Sequence, residues 1–111
     1  MIFVAETQGR LVGYVACLAG GLRRNGQTAT VVIGILQSHA GKGLGTRLFE
    51  TMEAWAREVG VHRLELHVDT ENKAGIALYL KRDFMIEGVA KEIKLVAGRF
   101  VDQIMMAKIL S

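Results

Sequence analysis

One junction constrains the fold of this sequence more than any other. From Thr28 to Leu36 the residues are almost wholly apolar and dense in β-branched side chains, the pattern of a buried central strand. From Leu44 the period changes. Leu44, Leu48, Met52, Trp55, Ala56 and Val59 recur at helical spacing, with Arg47, Glu50, Glu53, Arg57 and Glu58 on the other face. Gln37-Ser-His-Ala-Gly-Lys-Gly-Leu-Gly-Thr46 joins the two, with three glycines at alternate positions, and Gly60 stops the helix. Residues 63–69 resume a period of two, with Leu64, Leu66 and Val68 on one face and Glu65, His67 and Asp69 on the other. A strand, a helix and a strand so joined form a parallel crossover, right-handed by the usual chirality.

The flanks are hairpins. Residues 2–5 and 11–18 read as two strands turned at Gln8-Gly9, and a basic loop between Gly20-Gly21 and Asn25-Gly26 leads into the central strand. Thr70-Glu71-Asn72 caps a second helix whose apolar stripe is Ile76, Ala77, Leu80 and Phe84. Two last strands, about 85–96 and 100–109, meet at Ala97-Gly98. The order is β-β-β-α-β-α-β-β, an α/β chain with a mixed sheet and a central parallel β-α-β. With 111 residues and no repeat or linker, residues 1–111 are expected to form a single domain.

Composition narrows the classes. The longest apolar stretches fall short of the roughly 18 to 20 residues that span a bilayer, and no basic segment precedes a long apolar core, so the protein is expected in the cytoplasm with no membrane partner. The single cysteine, Cys17, lies in an apolar run and is expected as a small buried hydrophobe. No Cys/His cluster has metal-ligand spacing, so no metal is expected. The net charge of +3 is uneven: residues 1–49 carry +4 and residues 50–111 carry −1. A positive field concentrated around one glycine loop suits a small polyanion better than nucleic acid, and no aromatic residues interleave with Arg or Lys as base stacking would need.

Alternate glycines let backbone approach a ligand closely, and the free N–H groups of the helix's first turn favour a phosphate. The other reading is a tight turn without a ligand. A P-loop would need Ser or Thr directly after Lys42, where Gly43 stands; a dinucleotide fold needs Gly-x-Gly-x-x-Gly and further parallel units, which this chain lacks.

Taken together, His39-Ala-Gly-Lys-Gly-Leu-Gly-Thr-Arg-Leu after a β-branched strand, then Asn72-Lys-Ala-Gly-Ile-Ala-Leu-Tyr79, Phe84 and Gly88, resemble the GCN5-related N-acetyltransferases over nearly the whole chain. Two positions depart from the family pattern: Ala40 opens the loop motif where Arg or Gln is usual, and Asp83 stands where glycine is usual. The resemblance implies a site for acetyl-CoA as co-substrate. Ile33, Gly34 and Ile35 would pair through their backbone with the pantetheine arm. Gly41, Lys42, Gly43, Leu44, Gly45 and Thr46 would hold the pyrophosphate, and Asn72 would contact the cofactor. It also implies N-terminal abbreviation, because family members begin with another strand and two helices that wall the acceptor site. A homodimer is expected to cover the edge so exposed.

Direct acyl transfer to an amine needs a proton for the departing thiolate and a base for the amine. A tyrosine, with a pKa of about 10, can protonate a thiolate of pKa about 8.5. Tyr79 matches the family's tyrosine; its alternative role is a helix-face aromatic. His67 stands five residues before Asn72, where some relatives that acetylate protein N-termini carry a catalytic glutamate, and Glu65 and Asp69 share its face. His67 is thus either the base or a strand histidine satisfied by a neighbour. His39 and His62 read as polar surface groups, Trp55 and Met52 as core, and Met85, Met105 and Met106 as gap fillers or an interface. The expected activity is acetyl-CoA-dependent N-acetylation of a primary amine: an amino acid, a small amine or a protein N-terminus. The alternative is a non-catalytic CoA-binding or structural module retaining the fold.

Overall fold

The computed structural model describes residues 1–19 and 27–110. The basic loop expected between Gly20 and Gly26 lies outside them. The described chain falls into two compact units, one of residues 1–64 together with the last residues from Ile109, the other Glu65–Lys108.

In the first unit, β1 (Ile2–Thr7) and β2 (Arg10–Ala19) form the expected antiparallel hairpin. Gln8 and Gly9 both have positive φ, 53° and 76°, which is the type I′ turn whose twist matches paired strands. β3 (Thr28–Ile35) pairs antiparallel with β2, placing Tyr14 opposite Gly34 and Ala16 opposite Val32. Because side chains alternate, one face of β1–β2–β3 presents Phe3, Val15, Cys17 and Val31 to α1 (Leu44–Glu58). Phe3 meets Trp55 edge to face at 6.2 Å, and Gly13 sits under Leu44 and Leu48. Cys17 is buried, as expected.

The opposite face leaves Ile2, Val4, Leu18 and Val32 exposed. β3 is therefore not the strand buried on both sides that its composition suggested: Ala29 and Val31 are buried, while Thr30 and Val32 are open. One helix covers one face of this unit, and β-branched residues suit a half-covered strand as well as a covered one. α1 also buries more than its predicted stripe. Phe49 and Glu53 join Leu48, Met52 and Ala56, whereas Val59, beyond the helix end, is exposed. Glu53 was expected on the polar face, yet it is only 1% exposed. It follows Phe49 by one turn, and Arg57 reaches back to its carboxylate at 3.8 Å. β4 (Arg63–Asp69) opens beside the start of β3, where the N–H groups of His62 and Arg63 donate to the Gln27 carbonyl at 2.7 and 3.0 Å. The two strands thus start from the same end, as a parallel crossover requires.

In the second unit the strands run β4–β6–β5, with α2 (Lys73–Lys81) following β4. β5 (Met85–Val96) and β6 (Arg99–Ile109) are antiparallel across Ala97-Gly98, again with two positive φ angles, 50° and 78°. The Thr70 N–H donates to the Asp102 carbonyl at 3.1 Å. Leu66, Val68 and Met106 are buried, whereas Met85 is 72% exposed and Met105 is also open. α2 is turned relative to its predicted stripe. Ala77 and Leu80 face outward, and the buried residue is Tyr79, whose ring lies 6.1 Å from that of the buried Phe84. The larger apolar area of the aromatic ring decides which side of this short helix turns inward.

Candidate active site

The first unit presents the glycine loop. β3 gives way to a short 3-10 turn, Gln37–His39, then to Gly41 at φ +74° and Gly43 at φ +79°. A Cβ on either glycine would meet nothing within 4 Å, so the glycines serve the left-handed backbone and leave the space above the loop open. Gly43 is the N-cap of α1, and no side chain caps the helix. The first intrahelical bond runs from the Arg47 N–H to the Gly43 carbonyl at 3.1 Å, which leaves the N–H groups of Leu44, Gly45 and Thr46 without helical acceptors. No acidic residue lies in that first turn, and a groove of about 410 Å³ beside it is lined by His39, Lys42, Arg47 and Thr51 together with Glu6 and Thr7. Backbone donors, the positive end of a helix and two cations converge where an anionic ligand would sit.

Ile33, Gly34 and Ile35 are the last residues of β3, on the strand that delivers this loop. The ring of Tyr14 lies over Gly34 so closely that a Cβ there would fall 2.5 Å from Cε1. Sequence reading missed this pair. Its signal was a lone glycine inside a β-branched strand, which often marks close approach by another group.

The second unit holds the other expected residues. Asn72 is the N-cap of α2, its Oδ1 accepting from the Gly75 N–H at 3.0 Å; this uses the acceptor of the amide and leaves the NH₂ outside the cap. Burial pushes the Tyr79 hydroxyl above the ordinary tyrosine range, so it keeps its proton throughout the neutral range. His67 is exposed on β4, on the face opposite Leu66 and Val68. Asp69, on the same face, has its carboxylate engaged with other residues. Its carboxylate accepts from the Gln103 amide at 2.8 Å and pairs with Lys94 at 3.5 Å.

Residues 1–84 match the sequence model of the Acetyltransferase (GNAT) family. The chain belongs to this family. Its structure resembles that of a GNAT-family acetyltransferase from Streptococcus pneumoniae, with a TM-score of 0.92, 32% identity, and coverage of 98% of this chain and 66% of that one. It resembles the yncA structure from Salmonella typhimurium, solved with its cofactor acetyl-CoA, with a TM-score of 0.87 and 26% identity over 99% of this chain and 64% of that one. By sequence it is 28% identical to the uncharacterized N-acetyltransferase YdgE of Bacillus subtilis over 78% of this chain and 55% of the relative. The chain thus spans about half the length of that curated relative.

The structure accounts for one of the two departures of this GNAT chain from the family pattern. Asp83 has φ 71°, in the left-handed region where glycine is easiest and where aspartate is among the best-tolerated alternatives. The conformation is kept although the usual residue is not. At Ala40 the departure removes a side chain from the loop while every backbone donor from Gly41 to Thr46 remains.

Proposed function

We propose that this chain binds acetyl-CoA and transfers its acetyl group directly to a primary amine. The observation that carries the reading is the uncapped first turn of α1 behind two open, left-handed glycines, in a GNAT chain whose relative yncA was solved with acetyl-CoA. The N–H groups of residues 41–46, with Lys42, are suited to the pyrophosphate; the backbone of Ile33, Gly34 and Ile35 is suited to the pantetheine arm; and the family resemblance gives Asn72 a contact to the cofactor, for which its NH₂ lies outside the helix cap. When bound, acetyl-CoA supplies an activated thioester.

The chain's own contribution is proton management. As the new C–N bond forms and the C–S bond breaks, Tyr79, whose hydroxyl is kept in the neutral, protonated form by burial, gives its proton to the departing sulfur. The proton lost by the amine goes to water or to His67, whose exposure on β4 leaves its ring accessible. The acceptor is an amino acid, a small amine or a protein N-terminus.

Calorimetric titration with acetyl-CoA, followed by a panel of primary amines assayed for free thiol release, tests the proposal. Saturable binding and release with at least one amine are expected. Binding without release for any amine would overturn the transferase reading in favour of a CoA-binding module, and absence of binding would overturn both.

A further inference from the structure

Gly34 is the one glycine in β3 and sits opposite Tyr14, whose ring covers it; a Cβ at position 34 would lie 2.5 Å from Cε1 and 3.1 Å from Cζ of that ring. Glycine at 34 and an aromatic residue at 14 are therefore coupled: the ring can lie flat on the strand only because nothing projects from Gly34. At this pair a groove of about 280 Å³ opens, lined by Leu11, Tyr14, Gly34, Ile35 and Leu36 together with Val12 and Gly13. Among the described residues no charged side chain lines it, in contrast to the larger groove beside the glycine loop, which carries Glu6, Lys42 and Arg47.

We propose that the Tyr14–Gly34 groove is the side-chain subsite for the acceptor, and that it selects primary amines bearing an aliphatic or aromatic group over those bearing a charge. This rests on the acetyltransferase reading above, in which residues 33–35 hold the pantetheine arm and so bring the acyl group to the strand from which the groove opens. A charged side chain entering it would surrender hydration with no oppositely charged partner, whereas an apolar one gains by leaving water. The volume suits one amino-acid-sized group, at the small end of ligand pockets. Tyr14 is the specificity element because its ring forms the wall, and Gly34 is the positioning residue that lets the ring lie there.

The test compares L-leucinamide and L-phenylalaninamide with L-argininamide as acceptors, by thiol release. The apolar amides are expected to be preferred at least tenfold in kcat/KM. Tyr14→Ala should cut that preference at least tenfold through acceptor KM, with acetyl-CoA Kd held within twofold. Gly34→Ala, which drives the ring from the strand, should lower the same preference, read as the ratio between the amides because residue 34 also lies on the strand proposed for the pantetheine arm, and in the Tyr14→Ala background it should change that ratio by less than twofold more. A ring that merely fills the sheet would change the unfolding midpoint of these variants and leave the acceptor preference untouched. That result, a preference for the cationic amide, or additive effects of the two substitutions would overturn the proposal. Should no amine support thiol release, the acetyltransferase reading fails on its own. The groove is then decided by backbone amide shifts in the wild-type chain: movement of Gly34 and Ile35 with L-leucinamide but not L-argininamide supports it, and no movement refutes it.

Discussion

Asn72 is both a helix cap and a proposed cofactor contact, and the structure separates the two roles by atom. The cap uses Oδ1, which accepts from the Gly75 N–H at 3.0 Å; the cofactor contact would use the NH₂. Asn72→Ala removes both. Loss of an N-cap costs about 1 kcal/mol, which for a chain of 111 residues corresponds to a fall in Tm of roughly 5 °C. Asn72→Asp keeps an acceptor at the positive end of α2, so its stability should stay within about 0.5 kcal/mol of the parent, while acetyl-CoA affinity falls with the lost donor. Gly75 supplies an internal check. Gly to Ala in a helix is ordinarily worth up to about 1 kcal/mol, but here the new Cβ would lie 2.6 Å from the Asn72 Nδ2 and push the cap aside. The gain and the lost cap nearly cancel, so Gly75→Ala alone should be close to neutral, yet stabilising by about 1 kcal/mol once Asn72 is alanine. Urea unfolding followed by far-UV circular dichroism on the four chains of this cycle gives the coupling directly. An additive cycle, or an Asn72→Ala chain as stable as the parent, would refute the capping argument.

Other perturbations follow from the same structure. Tyr79→Phe should lower turnover while acetyl-CoA affinity stays nearly intact, read by thiol release and calorimetry; an unchanged rate would remove Tyr79 as the acid. Burial raises the Cys17 thiol, with the N-terminal amino group opposing it, so Cys17 should react with an aromatic disulfide reagent at pH 8 far more slowly in the folded chain than in denaturant. Tyr79 and Cys17 both bind their protons more tightly folded than unfolded. The stability they support is therefore fully present below their unfolded values, about 8.5 for the thiol and 10 for the phenol, and is lost as pH rises through the folded ones. Urea midpoints measured from pH 8 to 11 should fall, and less steeply in Tyr79→Phe. Lys42→Ala should weaken acetyl-CoA binding and flatten its dependence on salt, checked by titration at two ionic strengths.

Much of this was legible because it rests on local rules. The change of period between Val31 and Leu48 located β3, the loop and α1, and Gln8-Gly9 and Ala97-Gly98 announced their hairpins before any tertiary contact was known. What escaped depends on packing. Glu53 is buried because Phe49 and Ala56 widen the inward face of α1, a matter of how deeply one helix settles on a sheet. The inward turn of Tyr79 in place of Leu80 reflects a competition between side chains of unequal area. The covering of Gly34 by Tyr14 required the register of β2 against β3, which no periodicity reports. Of the candidate site, the glycine loop was visible from residue types alone, whereas the commitment of Asp69 to Gln103 and Lys94 needed the strand order β4–β6–β5.

The two hairpin turns bear on the kinetics of the sheet. Each closes over two residues with a glycine in second place, but the first place, at φ 53° and 50°, holds Gln8 and Ala97, neither of which favours the left-handed region as Asn or Gly does. Each hairpin must therefore form against a local bias, and its strands meet more through side-chain burial than through the turn. Nucleation at these points is consequently late, so asparagine in place of either residue should stabilise the native sheet chiefly by slowing its unfolding, with far less effect on the rate at which the chain folds.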